Sequence, residues 1–225
     1  MKTKYNKTII IQAFLLTVIL LFAYVVFMYV DITNTIDNAN ILLRTIKQGR
    51  VLDFYEISVE QARTNFSANY NFFIYIIFAV WQAPAYLAAH LLGKDYLLCS
   101  WTMLWSKTLI LLFSMLAAYY IYKIIRFCDK DKKRAWLAVF LYFSSMTVFY
   151  PIFICGQLDV IAMCFMLGGL YNYMKGNYKI FWLCFLFAAP CKMFSILLAL
   201  PLIILKEKNL IKAGIIWVSM TGLLI

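Results

Sequence analysis

Residues 150–162 read YPIFICGQLDVIA, a helix-breaking Pro151 followed closely by Gly156, Gln157 and Asp159, with apolar runs on both sides. A carboxylate in such surroundings lies in a bilayer or at its edge. An unpaired charge there costs at least ~2.5–3.5 kcal/mol, which makes an acid at this place a candidate functional group by default. A second reading stands beside the first. Asp159, just after a glycine and just before an apolar run, also suits a helix N-cap at a membrane surface.

The composition supports a membrane setting. Hydrophobic residues make up 65% of the chain, aromatics 18%, and the mean hydropathy is +0.82. Soluble domains are roughly 45–50% apolar. The apolar runs are of spanning length and lack the period-2 alternation of a barrel. The expected fold is therefore all-α, a polytopic helical membrane protein with about six to seven membrane helices, two of them short. The formal charge of +11 does not point to nucleic acid, because the bases sit in short loops between apolar segments, where they set orientation. The six cysteines, Cys99, Cys128, Cys155, Cys164, Cys184 and Cys191, form no CxxC pair and read as small packing residues. A single His90 argues against a zinc site. The sequon-like Asn65-Phe66-Ser67 would matter only in a eukaryotic secretory lumen.

From the N-terminus, Lys2, Lys4 and Lys7 precede an apolar run over residues 8–30, too long for a signal peptide and without a small-residue cleavage site. It reads as an uncleaved first span with a cytoplasmic N-terminus. Residues 31–70 carry five acids and four bases, so they suit the outer side. Ile36, Ala39, Asn40, Leu43 and Ile46 recur there at helical spacing, which predicts an amphipathic surface helix ending near Gly49. The loop 123–134, KIIRFCDKDKKR, holds six bases and two acids and belongs inside. Residues 72–92 and 96–122 are both long enough to span. The simplest arrangement that keeps the basic loop inside is that 71–92 do not cross, and Gln82, Pro84 and His90 interrupt that run as in an interfacial or re-entrant helix. The outer loop thus extends over residues 31–95, and 96–122 runs inward.

A span over 135–153 returns to the outer face and 160–174 goes back in. Within 180–205 the segment AAPCKMFS places Pro190 and Lys192 in an apolar run. Two half-helices meeting there return the basic KEKNLIK loop to the cytoplasm and bring Lys192 to the side of Asp159. The apolar run from Ala213 breaks off at Ile225, as expected of the N-terminal part of a longer protein or a shortened copy of one.

This topology gathers Asp31, Asp159 and Lys192 on the outer face. The set suits glycosyl transfer from a lipid-phosphate donor: a carboxylate takes the proton of an acceptor hydroxyl, and a lysine neutralises the departing phosphate as a point charge. Each residue also has a plainer reading. Asp31 marks a helix end at the interface, Lys192 snorkels to headgroups, and Gln157 either contacts phosphate or sugar or satisfies backbone at a helix start. Asp37 is a secondary candidate, expected on the solvated face of the loop helix. Lys107, well inside its span, needs an acid or phosphate partner, and Asp159 is the acid expected. The tyrosines and tryptophans are expected in interfacial belts.

In their order along the chain, Asp31, Gly49 with Phe54-Tyr55, the segment NFFIYIIFAVWQAPAYL (71–87), Gly156-Gln157-x-Asp159 and Lys192 with Pro201 form a pattern. It resembles the N-terminal module of integral-membrane glycosyltransferases of the GT-C superfamily, particularly bacterial polyprenyl-phosphate-sugar-dependent, mannosyltransferase-like members. The resemblance implies Asp31 as catalytic base and surface helices in the first outer loop; the residues themselves suggest Lys192, Gln157 and Asp159 on the donor side, and Lys107 either there or in a structural pair. It further implies a mannose-like hexose on a polyprenyl-phosphate donor and a glycan, lipid or protein acceptor outside a bacterial plasma membrane. Some relatives use Mg²⁺ or Mn²⁺. The chain departs from the pattern in lacking an adjacent pair of acids in the first loop. A secondary transporter or lipid flippase, or an inactive fragment, remains the alternative reading; the internal repeat that a transporter would show is not evident.

Overall fold

A computed structural model describes residues 2–27, 30–64, 66–98 and 100–220. Asn65 of the sequon-like triplet and Cys99 lie outside the described residues. All regular structure among the described residues is helical.

Helix α1 (Lys2–Val26) is nearly bare of protein contacts, with Phe14 and Phe22 more than 60% exposed and only 6% of the stretch Ile9–Val26 buried. So much apolar surface suits lipid as its solvent. Helices α4 (Phe72–Leu91) and α5 (Ser100–Cys128) are likewise long and apolar enough to cross a membrane. Three such helices are present among the described residues, or four if a bent pair counts as one span. That pair covers the span expected over 135–153, bent rather than continuous. Helix α6 (Lys132–Ser144) ends at Ser145, and the chain resumes at 58° through α7 (Met146–Phe149) and a π-helical turn, Tyr150–Cys155. Pro151 lies in that turn and supplies no N–H, so the ladder widens there, and the Gln157 N–H reaches back to the Pro151 carbonyl at 2.8 Å.

The remaining helices are α8 (Asp159–Met174), α9 (Tyr178–Cys191), α10 (Phe194–Lys206) and α11 (Leu210–Met220). The break expected near Pro190–Lys192 is present, with Lys192 in extended backbone between α9 and α10. Lys206 Nζ lies 3.5 Å from the centre of the Tyr178 ring, so the end of α10 returns to the start of α9. The two form a hairpin with Lys192 and Met193 at its tip. Helix α8 is held between α5 and α9 because Gly168 and Gly169 present no side chain: a Cβ at Gly168 would lie 3.0 Å from the Tyr120 ring, and one at Gly169 2.7 Å from Phe185.

These contacts order the ends of the bundle. Lys107 of α5 meets Phe153, Tyr120 meets Tyr171 of α8, and Tyr122 meets Trp136 of α6. The basic segments 123–134, 175–179 and 206–212 therefore share one end, and Asp159 and Lys192 lie at the other.

The segment between α1 and α5 caps that second end. Helices α2 (Val30–Lys47) and α3 (Phe54–Gln61) precede α4. Helix α2 stops where Gly49 takes a φ of 70° and the Arg50 N–H bonds the Thr45 carbonyl at 2.9 Å. It is not the one-faced surface helix that the apolar spacing predicts. Thr35, Ile36, Asp37, Asn38, Ala39, Asn40, Ile41 and Leu42 are all buried, whereas Ile46 is exposed. The polar face is covered by the chain after α3: Asn38 Nδ2 donates to Phe66 O (3.0 Å), Ser58 Oγ donates to Asn38 Oδ1 (2.6 Å), and the Ala68 N–H donates to Ser58 Oγ (2.6 Å). Helix α4 continues through Pro84 without a break. It locks onto the first turns of α5, where Trp81 and Trp105 stack at 5.1 Å and each indole N–H bonds the other's carbonyl. Gln82 Nε2 adds a buried bond of 2.7 Å to Ser106 Oγ.

Candidate functional site

The site is built from three chain breaks at the end of the bundle away from the basic loops. The first is the junction of α1 and α2, which carries Asp31 in the first turn of α2. The second is the π-helical turn, which ends at Gly156 with φ 67° and delivers Gln157 and Asp159. The third is the α9–α10 tip with Lys192. A Cβ at Gly156 would lie 3.3 Å from Ile32 Cβ, so the missing side chain lets the second break approach the residue next to Asp31.

Asp159 and Lys192 form an ion pair, Nζ to Oδ1 2.9 Å, with both side chains partly open (35% exposure for Lys192, 48% for Asp159). Asp159 is not an N-cap. Leu158 occupies that position, and Asp159 begins the helix with its carboxylate turned to Lys192. Both acids stand at helix N-termini, where the aligned peptide dipoles favour negative charge. Tyr70, in the segment before α4, senses both: burial first, then the charges of Asp31 and Asp159, push its phenol up to about 12. Its backbone is held by the Tyr75 hydroxyl, which accepts the Tyr70 N–H (3.2 Å), and by Tyr55, whose hydroxyl donates to the Tyr70 carbonyl (2.9 Å). No signal in the sequence separates Tyr70 from the belt tyrosines, because only the folding back of the outer segment brings it here.

Lys107 does not pair with Asp159. Its ammonium is 2% exposed and donates to the main-chain carbonyls of Tyr24, Phe27 (2.7 Å) and Phe153 (3.3 Å), with the Tyr24 ring 5.0 Å away. Tyr24 and Phe27 lie at the end of α1, where helix carbonyls lack intrahelical partners and attract cations. Lys107 thus ties the approach to Asp31 to the turn that leads to Asp159. It positions the site from behind rather than facing into it.

Asp37 is also corrected. It is 1% exposed, not solvated, and its Oδ2 accepts the N–H groups of Arg63 (2.6 Å) and Thr64 (3.2 Å). It holds the loop over α2 and borders a cavity of about 190 Å³ with Arg44, Arg63, His90 and Asp95.

Among the described residues no three of His, Cys, Asp and Glu converge. Mg²⁺ commonly takes one or two carboxylates and completes its shell with substrate phosphate and water. No protein-family model, no curated protein and no solved structure matches the chain.

Proposed function

We propose that the chain is a membrane glycosyltransferase, or the module of one that holds its donor, transferring a mannose-like hexose from a polyprenyl-phosphate to an extracytoplasmic acceptor. The observation that carries the reading is the partly open Asp159–Lys192 pair at a helix break whose Gly156 packs against Ile32, the neighbour of Asp31. Lys192 is held in place by a carboxylate that a phosphate can replace as its partner. Asp31 takes the proton of an acceptor hydroxyl as that oxygen bonds the anomeric carbon. The bond from that carbon to the phosphate oxygen breaks, and the leaving polyprenyl-phosphate carries its negative charge to Lys192. Gln157 lies beside this path as a hydrogen-bonding group for sugar or phosphate. Where Mg²⁺ or Mn²⁺ takes part, Gln157 and Asp159 would lie on its side and it would supply charge neutralisation at the phosphate.

The matching orientation has the N-terminus in the cytoplasm, the three basic segments inside, and α2, α3 and α4 over the outer end of a plasma-membrane bundle. The clustering of those basic segments at one end supports it.

The test uses the full chain in detergent. Binding of polyprenyl-phosphate is followed by native mass spectrometry, and transfer from a radiolabelled polyprenyl-phosphate hexose is followed in membranes carrying the protein. Wild type binds the lipid, Lys192→Gln loses most of that binding, and Asp31→Asn binds but does not transfer. Lipid binding that is indifferent to Lys192→Gln, or transfer that survives Asp31→Asn, would sink the reading.

A further inference from the structure

At the opposite end of the α9–α10 hairpin, about 20 Å from Lys192 at 1.5 Å per residue, the start of α9, the end of α10 and α11 line an open cleft of about 570 Å³. This lies within the ~300–1,000 Å³ range of ligand pockets. Its walls are Phe181, Trp182, Ile203 and Ile216, and its mouth carries Lys179, Lys206, Lys212 and Glu207. The Trp182 indole N–H is already used, donating to Ser219 Oγ at 3.1 Å, so the indole closes a wall rather than reaching for a ligand. Glu207 is engaged by Lys212 at 2.7 Å. Lys206 lies over the Tyr178 ring, and Lys179 stands one residue further on. Three lysines against one glutamate leave the mouth at a net +2.

An apolar interior under a cationic rim is an amphipathic site. A soluble phosphate would leave the walls empty, and an uncharged lipid would leave the lysines unanswered. Basic pockets between membrane helices at the positively charged end of a bundle are suited to anionic headgroups. We propose that this cleft binds an anionic phospholipid, with an acyl chain against Trp182 and Ile216 and the phosphate between Lys179 and Lys206. The assignment does not depend on the glycosyltransferase reading, whose residues lie at the other end of the hairpin.

Trp182 supplies the probe. The full chain is titrated with phosphatidylglycerol or phosphatidylcholine brominated on the acyl chain, and the Trp182 contribution to the fluorescence is isolated by comparison with Trp182→Phe. The expected result is quenching of that component by phosphatidylglycerol at a concentration about tenfold lower than by phosphatidylcholine. The preference disappears in Lys179→Gln/Lys206→Gln, and it persists in Lys179→Arg/Lys206→Arg and in Lys130→Gln/Lys133→Gln, which alters another basic loop. Equal quenching by the two lipids identifies ordinary boundary lipid and overturns the proposal. So does a Trp182 component that neither lipid quenches, which means that protein fills the cleft, or a preference that survives Lys179→Gln/Lys206→Gln.

Discussion

The Asp159–Lys192 pair is close enough for a charge-assisted hydrogen bond, yet both side chains are partly open to their surroundings. Exposed ion pairs contribute about 0–1 kcal/mol, because solvent screens them and ordering two flexible side chains costs entropy. Asp159→Asn and Lys192→Gln should therefore lower unfolding stability in detergent by no more than about 1 kcal/mol, while Lys192→Gln loses polyprenyl-phosphate binding. A fall in melting temperature as large as that of a core substitution would instead make the pair a structural strut. Tyr70 offers a pH test. Its phenol has an ordinary value of 10.0 and sits at about 12 in the fold. Between those values the unfolded chain has lost a proton that the folded chain keeps, so stability should fall as pH rises from about 10 toward about 12 and level off above. Tyr70→Phe should make that alkaline loss shallower in thermal unfolding measured across the range.

At the scale of elements, the π-helical turn between α7 and α8 does the placing. Gly156 adopts a left-handed backbone and lies against Ile32. An alanine there meets both the cost of that conformation, about 1–2 kcal/mol, and a Cβ pressed 3.3 Å from Ile32. Gly156→Ala should lose about that much stability together with donor binding, and Gly156→Asn should retain more of both, because asparagine tolerates the left-handed region. Equal losses in the two variants would show that contact with Ile32, not backbone strain, governs the turn. Lys107 works at the same scale, joining α1, α5 and the turn through three carbonyls. Lys107→Met leaves one buried and two partly buried acceptors without their donor, and with about 1–3 kcal/mol for an unsatisfied buried group the loss should reach about 2 kcal/mol or more in chemical unfolding. A loss below about 1 kcal/mol would mean that the carbonyls find other donors.

Across the whole molecule, the basic segments 123–134, 175–179 and 206–212 lie at one end of the bundle, and Asp31, Asp159 and Lys192 at the other. In a membrane this polarity sets orientation, since lysine and arginine are retained on the cytoplasmic side. Single cysteines placed at Met193 and at Lys133, on a cysteine-free background, should label from opposite sides of the membrane, Met193→Cys from outside and Lys133→Cys from inside. Labelling of both from one side would dissolve the proposed arrangement. A cysteine at Leu91, the exposed last residue of α4, should label with Met193→Cys if α4 stays on the outer layer.

Much of this architecture is legible in the amino-acid order because lipid imposes simple rules. Apolar runs of spanning length, bases gathered between them, and a proline beside a lysine in an apolar run specify helices, their relative direction and the break at Lys192. Those features also bring Asp159 and Lys192 to one end, since each follows from local composition and chain direction. What the tertiary structure alone decides involves groups without a sequence signature. The partners of Lys107 are main-chain carbonyls, which every residue carries, so an expectation based on charge chose the wrong partner. Asp37 and the buried face of α2 depend on bonds from Arg63, Thr64, Phe66 and Ala68, and no periodicity within α2 encodes that cover. Tyr70 comes to the two acids by the same long-range return. The bend at Ser145 likewise has no proline or glycine to announce it, whereas the widened turn at Pro151 follows from a missing N–H that the sequence does show.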